Sequence, residues 1–387
     1  MASIQKRTRN GRVTYSVRYR DPAGGEHRKV FTRKVDAQRF ETETEHAKLH
    51  GAWTDPRAGK TALRAYGDAH LAAQTFDETT REAVALRLRL HVYPHLGGHQ
   101  LAALRPSVVQ AWARGLQTQL APSYVRVIFA NLSAILQAAV DDGIIARNRC
   151  RAGSVKPPAP DRRKVVPWPA ERVAAVAVAL PGRYRAVMAV AAGLGLRQGE
   201  CFGLAVDDVD FLRGVVHVRR QVRIVGNRLV FAPPKTGKTR DVPLPESVAL
   251  RLAAHLEAWP AVAVTLPWRE PGGRPETARL LFSTRERTAL ARTYFNRHVW
   301  KPALDQAGVP ATRANGMHAA RHYYASALLE DGVNVRAVAE YLGHNDPGFT
   351  LRVYAHLMPS AEGRARAAVD RALGGGPVVA RAARAET

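Results

Sequence analysis

Residues 318–356 read HAARHYYASALLEDGVNVRAVAEYLGHNDPGFTLRVYAH, a stretch that contains His318-Ala319-Ala320-Arg321, then Leu342-Gly343-His344, then Val353-Tyr354-Ala355-His356. Positions three apart on a helix share a face, so His318 and Arg321 can reach one phosphate together. On a first helical turn, free backbone N–H groups and the helix dipole also favour an anion. Arg321 can fork two donors onto phosphate oxygens, and Tyr354 offers a hydroxyl nucleophile whose phosphodiester product preserves the energy of the bond it breaks. Such chemistry needs neither a metal nor a nucleotide cofactor.

Working outward, Gly193-Leu194-Gly195-Leu196-Arg197-Gln198-Gly199-Glu200 precedes Leu204 and an Asp207-Asp208 pair. Between the two arginines stand Pro233-Pro234-Lys235-Thr236 and Arg240-Asp241-Val242-Pro243-Leu244-Pro245. With these residues in that order, the chain resembles the phage-integrase family of tyrosine recombinases. The resemblance implies six catalytic side chains, Arg197, Lys235, His318, Arg321, His344 and Tyr354, and no cofactor or metal. It implies a multidomain fold, mainly α with an α+β catalytic domain, that closes as a C-shaped clamp around DNA. It also implies that Tyr354 attacks the scissile phosphate to give a 3′-phosphotyrosine and a free 5′-hydroxyl. Arg197, Arg321 and His344 would stabilise the non-bridging oxygens, His318 would accept or relay the tyrosine proton, and Lys235 would protonate the leaving oxygen. Glu200, one turn after Arg197, has two readings, as a support that orients one of the arginines or as the N-terminal acid of its helix.

Two features depart from the family pattern. His344 and Tyr354 are ten positions apart where many members have nine, so Asn345-Asp346-Pro347-Gly348-Phe349 carries one extra residue, and its Pro-Gly pair predicts a turn that absorbs it. The run Lys235, Lys238, Arg240 leaves the general acid open; Lys235 is preferred because it directly follows the paired prolines.

Composition sets wider bounds. The chain has 387 residues, enough for two or three domains. Its 58 Lys and Arg against 33 Asp and Glu give a net charge of +25, which points to a polyanionic partner. A GC-rich coding bias explains Arg over Lys but not the scarcity of acids. Only Cys150 and Cys201 occur, so neither a disulfide framework nor a zinc set is indicated. The basic N-terminus lacks an apolar signal core, and no run is read as approaching the ~18 apolar residues of a membrane span. A reduced, cytoplasmic, nucleoid-associated protein of a bacterial host is expected.

Along the chain, five segments are predicted. Residues 1–55 form a three-stranded sheet (2–8, 12–20, 26–31) plus a helix capped by Thr32 and ended by Gly51, with Asn10-Gly11 and Asp21-Pro22-Ala23-Gly24-Gly25 as turns. Val13, Tyr15, Val17 and Tyr19 alternate with Thr14, Ser16, Arg18 and Arg20, the pattern of a half-buried strand with a basic face. This unit resembles the arm-type DNA-binding domain of some integrases; a solvated basic sheet is the plainer reading. Residues 60–146 read as a helical core-binding domain, with helices near 61–74, 78–92, 106–117 and 123–141. In the last, Val125, Ile128, Leu132, Ile135 and Ala139 form a core stripe. Residues 147–165 read as a basic Pro-rich linker, with seven Lys/Arg and one Asp from Arg147 to Lys164. Residues 166–373 are the catalytic domain, with helices near 169–180, 183–193 and 198–204, strands near 215–222, 228–232 and 239–243, then helices to 373. Residues 374–387 form a flexible tail.

Rival readings of single motifs are weaker. Ala232-Pro-Pro-Lys-Thr-Gly-Lys-Thr239 satisfies a relaxed P-loop pattern, but two prolines lack the N–H groups that cradle phosphate and prolines block a following helix. His318 and His322 have a zinc spacing, but Ala319 stands where a metalloprotease needs Glu, and Arg321 adds positive charge. His322, Tyr323 and Tyr324 are read as structural. The function expected is therefore a site-specific integrase of a phage or other mobile element, acting on double-stranded attachment-site DNA as a homotetramer with DNA-bending and directionality partners. A type IB topoisomerase, a dimer-resolving recombinase and a non-catalytic DNA-binding regulator are the alternatives.

Overall fold

The computed structural model describes residues 3–9, 12–21, 24–49, 58–159, 165–235, 237–357 and 362–373, and the chain divides into two compact units, Met1–Arg162 and Arg163–Thr387. The turn at 10–11, part of that at 22–23, Gly51 and the tail from 374 lie outside the described residues.

In the first unit, β1 (Ser3–Arg9), β2 (Arg12–Arg20) and β3 (Glu26–Phe31) form an antiparallel meander with β2 central. Val17 and Tyr19 are buried with Ala37 of α1 (Lys34–Leu49), and Ile4, Tyr15, Phe31 and Phe40 close this small core. The alternation fails at the strand start, where Val13 is exposed, and at Ser16, which is buried and accepts a 2.8 Å bond from Arg28 Nε. Thr32 does not cap α1. Arg33 holds the capping position, its carbonyl accepting from Ala37 N–H while its guanidinium binds the Asp36 carboxylate at 2.8 and 3.0 Å.

The helices that follow are α2 (Leu63–Ala73), α3 (Glu78–Arg87), α4 (Tyr93–Leu96), α5 (Pro106–Gln117) and α6 (Pro122–Asp141). A wide helical turn, Leu88–Val92, joins α3 to α4. Proline begins both α5 and α6, where its missing N–H costs no helical bond. By length and a mean hydropathy of 1.4, α6 could cross a membrane, contrary to the sequence expectation, yet Val125, Ile128, Leu132, Ile135 and Ala139 bury one face in the core of the unit. The predicted linker is also tied down. Cys150 and Val155 belong to that same core, Asn148 caps the turn Arg149–Arg151, and Arg126 bonds Pro158 O at 2.5 Å, because apolar residues among the basic ones have a core to enter. Its residues 160–164 lie outside the described ones.

In the second unit, α7 (Ala170–Ala179), α8 (Gly182–Gly193) and α9 (Gln198–Gly203) lead into strands. After Arg183 and Arg185 in its first turn, α8 is apolar all round and mostly buried, the mark of a central helix. β4 (Val209–Asp210), β5 (Val215–Val218) and β8 (Arg240–Pro243) form one antiparallel sheet, and β6 (Gln221–Val225) with β7 (Arg228–Ala232) forms a hairpin inserted between β5 and β8. The single strand expected over 215–222 is thus broken at Arg219-Arg220, where both arginines turn to the buried Asp208 carboxylate at 3.5 and 2.5 Å. After α10 (Glu246–Ala258) comes a second correction: β9 (Val262–Pro267) and β10 (Pro275–Leu280) form a hairpin where only helices were expected. Val262 and Val264 are buried with Ala263 exposed between them, a period of two that marks a strand. The chain then runs through α11 (Arg292–Phe295), a wide turn Asn296–Trp300, α12 (Lys301–Gln306), α13 (His318–Glu330), α14 (Val335–Leu342), α15 (Pro347–Tyr354) and α16 (Glu362–Ala372).

Candidate active site

The site is built where the start of α9, the start of α13 and the end of α14 meet. A helix end leaves its last carbonyls without intrahelical partners, at the negative end of the dipole. At the end of α14 three successive carbonyls each take a different arginine. Tyr341 O accepts from Arg240 Nε at 2.7 Å, Leu342 O from Arg321 Nη2 at 2.5 Å, and Gly343 O from Arg197 Nη2 at 3.2 Å. Gly343 makes this possible by its left-handed φ of +62°; a side chain there would also press on Arg240.

Arg321 is 1% exposed, and its Nη1 donates to Gly195 O at 2.7 Å. Gly195 has φ +64°, and a Cβ there would lie 2.3 Å from the Tyr324 ring, so only glycine lets this carbonyl approach. Burial pushes Arg321 down to about 9 and Arg197 adds repulsion, which still leaves it a cation at neutral pH.

Glu200 joins the arginines. One carboxylate oxygen accepts from Arg197 Nη1 (2.9 Å) and Arg240 Nη1 (3.1 Å), the other from Arg197 N–H (2.9 Å) and Arg240 Nη2 (2.7 Å). Burial alone would raise its pKa, but the Arg240 hydrogen bonds and the nearby guanidiniums bring it down to about 2. Glu200 thus stands in the first turn of α9, accepts from the Arg197 backbone N–H and is bonded to two guanidiniums. Arg240 is committed to this frame, which removes it from the candidates for general acid. Three guanidiniums against one carboxylate leave a net positive field suited to an anionic phosphate.

His344 follows Gly343 directly. Its Nε2 faces Arg321 Nη2 at 3.1 Å and its Nδ1 faces Thr350 Oγ1 at 2.7 Å. Desolvation and the adjacent arginines push it down to about 3, so Nε2 accepts from Arg321 and Nδ1–H donates to the threonine. The Pro347-Gly348 pair is not a turn. It is the first turn of α15, with Pro347 at its start and Asp346 accepting from Gly348 N–H at 2.8 Å, so the extra residue is absorbed in a capped helix end.

Tyr354 ends α15, 2% exposed, with its hydroxyl raised to about 12 by burial against the opposing pull of Arg321. Its partner is His322, whose Nδ1 lies 2.5 Å from the hydroxyl. The sequence alone makes His322 structural and gives the tyrosine proton to His318. Both share one face of α13, with rings 4.6 Å apart, but α15 meets α13 one turn beyond His318. The i, i+4 spacing carried that signal. His318 is exposed as a residue, but its imidazole is packed against the site, and the resulting desolvation together with His322, Arg321, Arg197 and Lys235 lowers it to about 4. Lys235, exposed in the β7–β8 turn, is thus electrostatically coupled to the site, while Lys238 is exposed nearby and Thr236 lies outside the described residues. The P-loop reading fails here, since 232–239 connects two strands and no helix follows.

Comparisons with known proteins identify the family and the fold. The family described as the Phage integrase family matches residues 170–360. A "Tyrosine recombinase XerC-like" protein of Caldanaerobacter subterraneus subsp. tengcongensis is 31% identical over 285 residues, 68% of this chain and 70% of that protein. The "Integrase" of Mycobacterium phage L5 is 26% identical over 360 residues, 90% and 91% of the two chains. Among solved structures, the Tn1549 transposon integrase with transposon right end DNA has a TM-score of 0.68 at 19% identity, covering 81% of this chain and all of that one. A lambda integrase tetramer bound to a Holliday junction has a TM-score of 0.59 at 16% identity, covering 92% and 96%.

Proposed function

Because the chain belongs to the phage integrase family of tyrosine recombinases, we propose that Tyr354 is the nucleophile with which it cuts and rejoins DNA through a 3′-phosphotyrosine. The chain is a site-specific recombinase of the integrase type. In this reading Arg321 and Arg197 bind the non-bridging oxygens of the scissile phosphate, and His344, held neutral by burial and the adjacent arginines and oriented by Arg321 and Thr350, lies beside the same centre. The tyrosine proton leaves through the histidines of α13, and Lys235 supplies the proton that the 5′-oxygen needs to depart. Two duplexes exchange strands when the freed 5′-hydroxyl attacks the phosphotyrosine of the partner site.

The observation that carries this reading is the convergence of three arginines on the end of α14 beside a tyrosine whose hydroxyl lies within the field of Arg321. Double-stranded attachment-site DNA is the substrate, a homotetramer on DNA the working assembly, and DNA-bending and directionality proteins its accessories. The N-terminal sheet is assigned to a second class of DNA site, and the bacterial cytoplasm is the compartment. The test is a nicked half-site duplex drawn from the DNA flanking the gene. Wild type accumulates a detergent-stable protein–DNA adduct, whereas Tyr354→Phe binds the duplex equally well and forms none. An adduct that persists in Tyr354→Phe would refute the assignment.

A further inference from the structure

We propose that His322 is a further catalytic residue, whose Nδ1 takes the Tyr354 hydroxyl proton as the oxygen attacks phosphorus and returns it when the strand is rejoined. The proposal rests on Tyr354 being the nucleophile. Its ground is geometric: Nδ1 lies 2.5 Å from the hydroxyl, well within the reach a general base needs. His318, one turn earlier, meets the His322 ring edge-on at 4.6 Å and 81° rather than the hydroxyl. The phenol can only donate in this pair if Nδ1 carries a lone pair, which requires the neutral imidazole with its hydrogen on Nε2. Burial and the charge of Arg321 hold His322 in that form by lowering it to about 4.

The step balances. The Tyr354 O–H bond breaks, its electron pair forms the new O–P bond, and the proton adds to Nδ1 to give an imidazolium. The P–O5′ bond breaks, its pair stays on the 5′-oxygen, and that oxygen takes a proton from Lys235. One proton is gained at His322 and one lost at Lys235, so the protein keeps its net charge through cleavage. A weak base suffices. The hydroxyl begins near 12, but becomes strongly acidic once bonded to phosphorus, and an acceptor near 4 lies between these limits.

The test uses the full chain and the nicked half-site duplex, with adduct formation followed in single turnover at saturating DNA. Wild type and Tyr354→Phe are read first; failure of the nucleophile assignment shows there, before any His322 variant is considered. His322→Asn keeps an acceptor near the place of Nδ1 but cannot take a proton, and should bind DNA normally while forming adduct about 10²-fold more slowly, the scale of general-base removal. His322→Asp restores a group that can take the proton and should recover about ten-fold of that loss. A 5′-bridging phosphorothiolate, whose sulfur departs without a proton, should not rescue His322→Asn. His318→Asn should lose less rate than His322→Asn. Wild-type rate in His322→Asn, equal rates in Asn and Asp, rescue by sulfur, a loss confined to DNA affinity, or a greater loss in His318→Asn would each overturn the proposal.

Discussion

Glu200→Gln is the most informative single change, because the isosteric amide keeps the shape of the site and alters only charge and hydrogen bonding. The carboxylate is 1% exposed and accepts four bonds, two from Arg197 and two from Arg240. Whichever way the glutamine is oriented, its NH2 group faces two donors, so two bonds become donor–donor conflicts and a buried guanidinium loses its counter-charge. Breaking one partner of a buried pair costs about 3–5 kcal/mol. Linkage gives a similar figure. A carboxyl held at about 2 in the fold against an ordinary 4.5 contributes roughly 3 kcal/mol above pH 4.5, lost as pH falls through 2. Urea denaturation of the second unit's transition in the full chain should therefore show a loss of about 3–5 kcal/mol, and the adduct rate should fall because Arg197 and Arg240 lose their shared anchor. A variant within about 0.5 kcal/mol of wild type, the range of ordinary surface substitutions, would refute the view that Glu200 holds the arginines in place.

The other predictions concern chemistry, the N-terminal sheet and pH. Lys235→Ala should be crippled on ordinary half-sites and restored by the phosphorothiolate substrate, while Lys238→Ala needs no rescue; the reverse pattern would move the general acid along the turn. A fragment beginning at Lys60 should cleave core half-sites with a similar salt dependence but fail to join two full attachment sites, and footprints flanking the core should vanish; full recombination by the fragment would leave the sheet a solvated appendage. His318, His322 and His344 are all held below 6.5, at about 4, 4 and 3, so the unfolded chain binds more protons as pH falls. Stability should be fully present above about 6.5 and decline towards 3–4, with the fall between about 6.5 and 4.5 preceding the loss of the Glu200 contribution, and melting temperature as the measure; a flat profile between 6.5 and 4.5 would contradict the neutral-histidine site.

Much of this was legible in the sequence because local signals and tertiary demands agree. α5 and α6 begin at prolines that can only start a helix, and the α6 stripe repeats at helical spacing, so their limits fall within a residue of expectation. The β9–β10 hairpin was missed although Val262 and Val264 alternate, because alanine-rich flanks give helix and strand similar local support. The candidate site residues are legible as types and in order, but their partners are not. Arg240 is legible only as one of three basic residues of the hairpin, at the start of the strand predicted over 239–243, and nothing in its sequence shows that it reaches Glu200 and Tyr341 across the fold. Likewise the three carbonyls that hold the arginines belong to backbone, which carries no signature in residue type. His322 shows the same limit from the other side: its spacing from His318 placed both on one face, and only the approach of α15 decides which one meets Tyr354.

The central claim is that Tyr354 carries the DNA. Trapping the adduct on a nicked half-site, digesting protein and DNA, and mapping the nucleotide-bearing peptide by mass spectrometry tests it directly. The account predicts a single modified peptide with the 3′-phosphate linked to Tyr354; attachment at any other residue, in protein that cleaves its site, would contradict it.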